Sequence, residues 1–271
     1  MHILGNFRGV VGLVVLGICL LLYSVPAIIG RLKRSADHLS RSGQYERALR
    51  LNRIGLKIPG YGKSLEGIIL FNAGRYSEAR VFLKPLAFDA QGKPRPASIE
   101  LYCYALALEN DGHLTKAEEL LEAAVNACPN KSELKVALAT CLLTQEKEPD
   151  RACKLLEQAM ATPQETGSAY GRRADDAART ARYAWALAAA GRRDEGEMKI
   201  QEATTLAQGL NDFEMAGVQY FSGQAWRTLG ETTKARAAYD EALKLSPQGV
   251  VALSVKKAQA KLGDTWHAWS S

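Results

Sequence analysis

A rhythm of small residues limits what this chain can fold into. In the stretch from Leu101 to Pro129, LYCYALALENDGHLTKAEELLEAAVNACP, they stand at Ala105, Gly112, Ala117 and Ala124 before the closing Pro129, in steps of 7, 5, 7 and 5. Leu101, Tyr104, Ala105 and Leu108 recur at helical spacing, which predicts a first helix. Asn110-Asp111-Gly112 breaks it, glycine supplying the positive φ that a helix end favours. Ala117, Leu120, Leu121, Ala124 and Val125 predict a second helix, which Pro129 stops. Small residues let the two backbones approach closely, and Leu108, Leu121 and Val125 fill the space around them. Such a hairpin has one face too apolar to stand alone.

The chain supplies neighbours. Gly223, Gly230, Ala235, Ala242 and Pro247 repeat the whole rhythm. Ala184, Gly191, Gly196 and Ala203 keep its first three steps, as do Ala36, Gly43, Ala48 and Gly55. Gly67, Gly74, Ala79 and Leu86 follow with one large residue at the last place. A weaker copy runs through Ala139, Ala152 and Ala159, where EKEPD replaces the turn glycine. Copies in register make an array.

The array resembles the tetratricopeptide repeat (TPR), a helix–turn–helix unit of 34 residues with small and aromatic residues at fixed places. The marks are Gly-x-Tyr in GQYERA and GRYSEA, and the run AAYDEALKLSP from Ala237 to Pro247. The resemblance covers roughly Ile29 to Pro247 and implies an all-α, TPR-like solenoid of about six helical hairpins. Most first helices lack the family's Trp, and anchor spacing stretches from Ala79 to Ala117 and from Ala152 to Gly196. The proline-bearing DAQGKPRPA (89–97) and the segment ATPQETGSAYGRR (161–173) read as irregular connections that account for this stretching. Pro85 is expected to kink or end the helix that holds it. Residues 31–262 form the expected solenoid, with Val250 to Leu262 as a capping helix, and residues 263–271 form a tail carrying Trp266 and Trp269.

Ahead of the repeats and an eight-residue flank, Gly9 to Gly30 hold no charged residue, and a helix needs about 20 residues to span a bilayer. A transmembrane helix over 9–30 is therefore expected. The apolar run continues past Val25-Pro26-Ala27 into Ile28-Ile29, which argues against a cleaved signal. From Arg31 to Lys63 there are nine Lys and Arg against Asp37 and Glu46, a bias that favours repeats on the cytoplasmic side. Arg8 and the terminal amine suit the opposite orientation, with the repeats on the periplasmic or extracellular side. The same basic stretch can attract anionic lipid headgroups, at about 1 kcal/mol per residue, or serve only as a solvated face.

Signs of chemistry are few. Cys103, Cys128, Cys141 and Cys153 fall on or beside apolar faces, where cysteine acts as a small hydrophobe, and Cys19 lies in the apolar span. GYGKS at 60–64 ends like a phosphate loop, but Lys57 stands where its first glycine belongs and the preceding segment is helical in pattern. The four histidines are scattered singly, and acids such as Glu118, Glu119, Glu122 and Glu241 sit on outward faces. Neither an enzyme, a cofactor, a metal site, a small-molecule substrate nor a nucleic-acid partner is expected.

Binding remains. The leading expectation is a membrane-anchored scaffold or adaptor that holds a protein partner. The alternatives are an accessory subunit of an integral-membrane enzyme or envelope-assembly complex, and an exported assembly chaperone for secretion or surface-polymer machinery. The resemblance implies that first helices line a concave groove through positions 2, 5, 9 and 12 of each repeat. Those positions are Tyr61, Ser64, Ile68 and Phe71 in the second repeat, then Ile99, Tyr102, Leu106 and Glu109 in the third. Glu133, Val136, Thr140 and Leu143 come from the fourth, and Ala178, Ala181, Trp185 and Ala188 from the fifth. The sixth gives Gly217, Tyr220, Gln224 and Arg227. Of the residues that grip a terminal carboxylate in chaperone-binding members, Lys33 fits one place, while Asp37 stands where Asn belongs. The groove so drawn is aromatic and aliphatic with few charges, suited to a helix or an extended apolar peptide. The bland alternative is that Tyr102, Trp185 and Tyr220 only pack between hairpins.

Overall fold

The computed structural model describes residues 25–96, 98–162 and 169–268, with side chains to residue 262. Six helical hairpins follow one another, as the small-residue rhythm predicts. They are α1 (25–41) with α2 (Tyr45–Gly55), α3 (Ser64–Asn72) with α4 (Tyr76–Ala87), and α5 (Ile99–Asn110) with α6 (Leu114–Ala127). Then come α7 (Ser132–Thr144) with α8 (Pro149–Ala161), α9 (Ala169–Ala189) with α10 (Arg193–Ala207), and α11 (Asp212–Thr228) with α12 (Thr232–Leu245). A last helix, α13 (Gly249–Ala268), follows. Among the described residues the extended pairing is a single bridge between Phe88 and Pro94, inside the proline-bearing connection.

The small positions do the work expected of them. Ala48, Ala79, Ala105, Ala117, Ala124, Ala184, Ala203, Ala235 and Ala242 are all at most 1% exposed. A Cβ on Gly223 would come within 2.5 Å of the Tyr239 ring, and one on Gly67 within 2.6 Å of Leu83. Close backbone approach is thus required at those two places. Turns after α1, α3, α5, α9 and α11 each carry a glycine at positive φ. In the turn after α7, where no glycine stands, Glu146 (φ 56°) and Glu148 (φ 44°) take up the left-handed conformation instead. Pro149, fixed at a helical φ, then opens α8. Pro85 sits two residues before the end of α4, so the helix closes just beyond it.

The array does not stay open. Arg41 at the end of α1 pairs with Glu214 on α11 at 3.1 Å. Tyr45 of α2 donates to the carbonyl of Gln248 at 3.4 Å, and Leu253 of α13 packs onto Gly74. Lys257 of α13 donates to the Asn110 carbonyl at the end of α5. So α13 covers the sixth hairpin, as expected of a cap, and also reaches the second and third hairpins. The open concave groove of the sequence reading becomes a surrounded space.

A second correction concerns the fifth hairpin. The segment expected to be irregular through Arg173 is helical from Ala169, which gives α9 21 residues. Tyr170 fixes the added turns: its hydroxyl bonds the Glu214 carboxylate at 2.6 Å and accepts from the Asn211 N–H at 2.8 Å. Residues 9–24 of the expected span lie outside the described residues, and 25–30 are the start of α1. No helix of the described residues is long and apolar enough to cross a membrane. The side chains of Trp266 and Trp269 also lie outside them. Cys103, Cys141 and Cys153 are buried free thiols, as expected of small hydrophobes.

Candidate functional site

The space framed by the first helices and α13 is a cavity of about 430 Å3. Seven of the expected groove residues line it: Ile68 and Phe71 from α3, Tyr102, Leu106 and Glu109 from α5, Trp185 from α9 and Tyr220 from α11. Val136, Thr140, Ala178 and Gly217 also line it, as their register positions imply. The wall is strongly aromatic. Phe221 lies 4.9 Å from Tyr220 and 6.2 Å from Trp185 between ring centroids. Trp185 is only 3% exposed, so it belongs to the core as much as to the cavity.

Three expected groove residues are elsewhere. Tyr61 precedes α3 rather than lying on it, and it is buried against Gly55 beneath the Lys33 ammonium. It borders a second hollow between α1 and α3, with Lys33, Arg34, Asp37 and Ser64. Gln224 donates through its amide to the Tyr220 hydroxyl one turn earlier on α11 at 2.9 Å, and its carbonyl accepts from Tyr239 of α12 at 2.8 Å. Arg227 donates to that same carbonyl at 3.1 Å and lies 3.9 Å from Glu146. Both positions fall past Phe221, the last residue of α11 on the cavity wall. Leu143 and Ala181 are buried in the core, and Ile99 is about half exposed.

The expectation of few charges is overturned. Arg41, Glu109, Asp175, Arg182 and Glu214 all line the cavity. Arg182 lies on the same stripe of α9 as Asp175, Ala178 and Trp185. Of the four positions expected from this helix, Ala178 and Trp185 lie on that stripe, while Ala181 and Ala188 do not. The alanines at 177, 181, 184 and 188 form the stripe that packs toward α10, where Gly196 meets the backbone of Ala184 and Ala188. The cavity face is therefore one residue further round. An alternation of small residues with charged ones along α9 was the available signal.

Electrostatics at the cavity follow from burial. Glu109 is 8% exposed; burial pushes its carboxyl up to about 7, although a hydrogen bond from Thr144 and the Arg182 charge pull it down. The Thr144 hydroxyl donates to Glu109 Oε1 at 2.9 Å, and Glu109 Oε2 has no partner. Arg182 lies with its guanidinium 3.8 Å from the centre of the Phe221 ring and donates to the Ala178 carbonyl at 2.9 Å. Its Nε is buried without a partner. Burial likewise raises the Asp175 carboxyl, against the pull of Arg179. No cluster of three metal-ligating side chains occurs among the described residues.

Comparison with known proteins bears on the fold. Residues 216–248, the sixth hairpin and its exit, match the tetratricopeptide repeat family. No curated protein matches the chain. TTC0263, a thermophilic TPR protein of Thermus thermophilus, is 19% identical over 72% of this chain and 95% of its own, with a TM-score of 0.50. MamA MSR-1 is 22% identical over 67% of this chain and 93% of its own, with a TM-score of 0.40. YrrB, described as a TPR protein with an unusual peptide-binding site, is 19% identical over 83% of this chain and 90% of its own, with a TM-score of 0.37. The Thermus thermophilus likeness shows the fold: this chain is an all-helical, TPR-like solenoid with a tetratricopeptide repeat at residues 216–248.

Proposed function

We propose that the chain is a membrane-anchored scaffold that holds a protein partner through the cavity lined by its first helices. The observation that carries the reading is the make-up of that wall. Aromatic rings from α3, α5, α9 and α11 converge on one space, with buried polar groups between them whose hydrogen-bonding capacity is unspent. A large apolar pocket with a few convergent polar groups is where ligands are expected. The uncharged run 9–30 and the basic stretch that follows it support the anchor, with the repeats on the cytoplasmic side. Anionic headgroups beside that stretch would add to the attachment.

The test is substitution on the cavity wall. Tyr102 and Tyr220 are only partly buried, so Tyr102→Ala and Tyr220→Ala spare the tightest packing. Aromatic hot spots lose about 2 kcal/mol or more of binding when truncated. Capture of a membrane partner should drop while melting holds. Melting lost in step with capture would make these residues core and send the search elsewhere. A reporter fused after Ser271 reads the orientation; activity on the non-cytoplasmic side would sink the cytoplasmic assignment.

A further inference from the structure

We propose that the cavity receives a carboxylate, which sits on the Arg182 guanidinium and takes a second hydrogen bond from the carboxyl group of Glu109. The inference rests on the cavity being the binding site and names the chemistry recognised there. Both residues line the cavity, and each leaves one buried polar atom, Arg182 Nε and Glu109 Oε2, without a partner. Buried polar groups are otherwise almost always paired. The same helix shows what a satisfied arginine looks like. Arg179, three residues earlier, is 6% exposed and donates to the Ala159 carbonyl at 3.2 Å and the Ser132 hydroxyl at 3.0 Å.

Arg182 needs an acceptor because a guanidinium keeps its proton and can only donate, and an anion also balances its buried charge. The groups around it do not meet that need. Arg41 on α1 and Glu214 on α11 satisfy each other, and Glu214 also holds Tyr170. Burial pushes Tyr102 and Cys103 on α5 and Tyr220 on α11 up to about 12, so they are neutral. Asp175, its carboxyl raised by burial, is coupled to Arg179. From α3, α7 and α13 the wall receives only uncharged residues. Glu109 is left, and burial there outweighs the pull of Arg182, so near neutrality its carboxyl is divided between acid and anion. The acid form can donate to an incoming carboxylate, and the incoming charge favours that form. Tyr220, Phe221 and Trp185 then enclose an apolar body attached to the carboxylate. The site is distinct from the hollow that holds Lys33 and Asp37.

The carboxylate can come from a partner's chain end or from a free carboxylic acid, and the experiment separates the two. The full chain in detergent micelles is titrated with 3-phenylpropionate and with the tripeptide Ala-Ala-Phe, each beside its carboxamide. Measurements at about pH 6 and about pH 8.5 bracket the Glu109 value of about 7. Both acids should bind about 10- to 100-fold more tightly than their amides, as charge-assisted bonds require. Their affinity should fall about tenfold or more toward the higher pH, because the acid form of Glu109 is lost. Arg182→Gln should remove the preference for the acid. Glu109→Gln, which keeps a donor, should retain binding and flatten the pH response. Tighter binding of the tripeptide assigns the site to a chain end; tighter binding of the small acid assigns it to a free ligand. Equal binding of acid and amide, no binding of either acid, or affinity rising with pH overturns the proposal, even if Arg182→Gln fails to fold. Partner capture tells this failure from failure of the scaffold reading. Capture that Tyr102→Ala abolishes and Arg182→Gln spares leaves the cavity as the docking site and discards the carboxylate.

Discussion

The fifth and sixth hairpins differ in what their side chains are used for. In the sixth, α11 gives Tyr220 and Phe221 to the cavity wall and packs its far half against α12. Tyr239 is fully buried over Gly223, and its hydroxyl is held by Gln224. In the fifth, α9 gives one alanine stripe to α10 and turns Asp175, Arg182 and Trp185 toward the cavity. The sixth is the hairpin that matches the tetratricopeptide repeat. The buried Arg182 Nε without a partner thus lies outside the hairpin that conforms to the repeat, although Ser222 in that hairpin also keeps a buried hydroxyl without one. Regular positions build the frame, and departures from them supply what the frame can bind.

The comparison breaks most readily at Tyr239. Tyr239→Ala should cost about 3–5 kcal/mol, the range for emptying a buried aromatic site, read as a lowered melting temperature. A loss below about 1 kcal/mol would mean that the sixth hairpin is not held by its own packing. Next comes pH. Glu109 is raised from 4.5 to about 7 in the folded state. Its contribution to stability is therefore full below about pH 4.5 and lost as pH rises through about 7, by about 3 kcal/mol in all at 1.36 kcal/mol per unit. Denaturant titrations at low and high pH should show this loss, and Glu109→Gln should remove it. An unchanged slope in that variant would show that Glu109 is not buried as described. The frame can then be probed in both hairpins at once. Ala235→Leu in the sixth and Gly196→Leu in the fifth should each cost about 1–3 kcal/mol through overpacking. A tolerated Gly196→Leu beside a damaging Ala235→Leu would mean that the fifth hairpin packs by another rule. The smallest expected effect is at Arg182. Arg182→Met should leave melting within about 1 kcal/mol or raise it, since an apolar residue replaces a charge with an unmet bond. The scaffold and carboxylate readings together require it to weaken partner capture all the same.

Much of the frame was legible because close packing leaves a periodic mark. Ala117, Ala235 and Gly223 are small since a second backbone or ring lies against each, and that need recurs at fixed spacing. The cavity face was legible where it follows the same register, at Ile68, Phe71, Tyr102, Leu106, Glu109, Trp185 and Tyr220. Arg182 escapes the repeat register because that register puts Ala181 and Ala188, which pack toward α10, on the cavity face beside Ala178 and Trp185. Tyr61 was misplaced because the helix it was assigned to begins only at Ser64. Contacts such as Tyr45 with Gln248 leave no local trace at all, since each end is an ordinary residue in its own hairpin.

Those last contacts change how the molecule comes apart. An open repeat array behaves like a row of units, each held by the next, and can fray from either end. Here Tyr45 meets Gln248 across 203 residues and Lys257 meets Asn110 across 147. Neither end of the row is free. Loss of α13 should loosen the second and third hairpins as well as the sixth, and unfolding should be more nearly all-or-none than hairpin count suggests. Folding carries the matching burden: contacts this distant along the chain form late and slowly, so the cavity becomes complete only when the last helix has arrived.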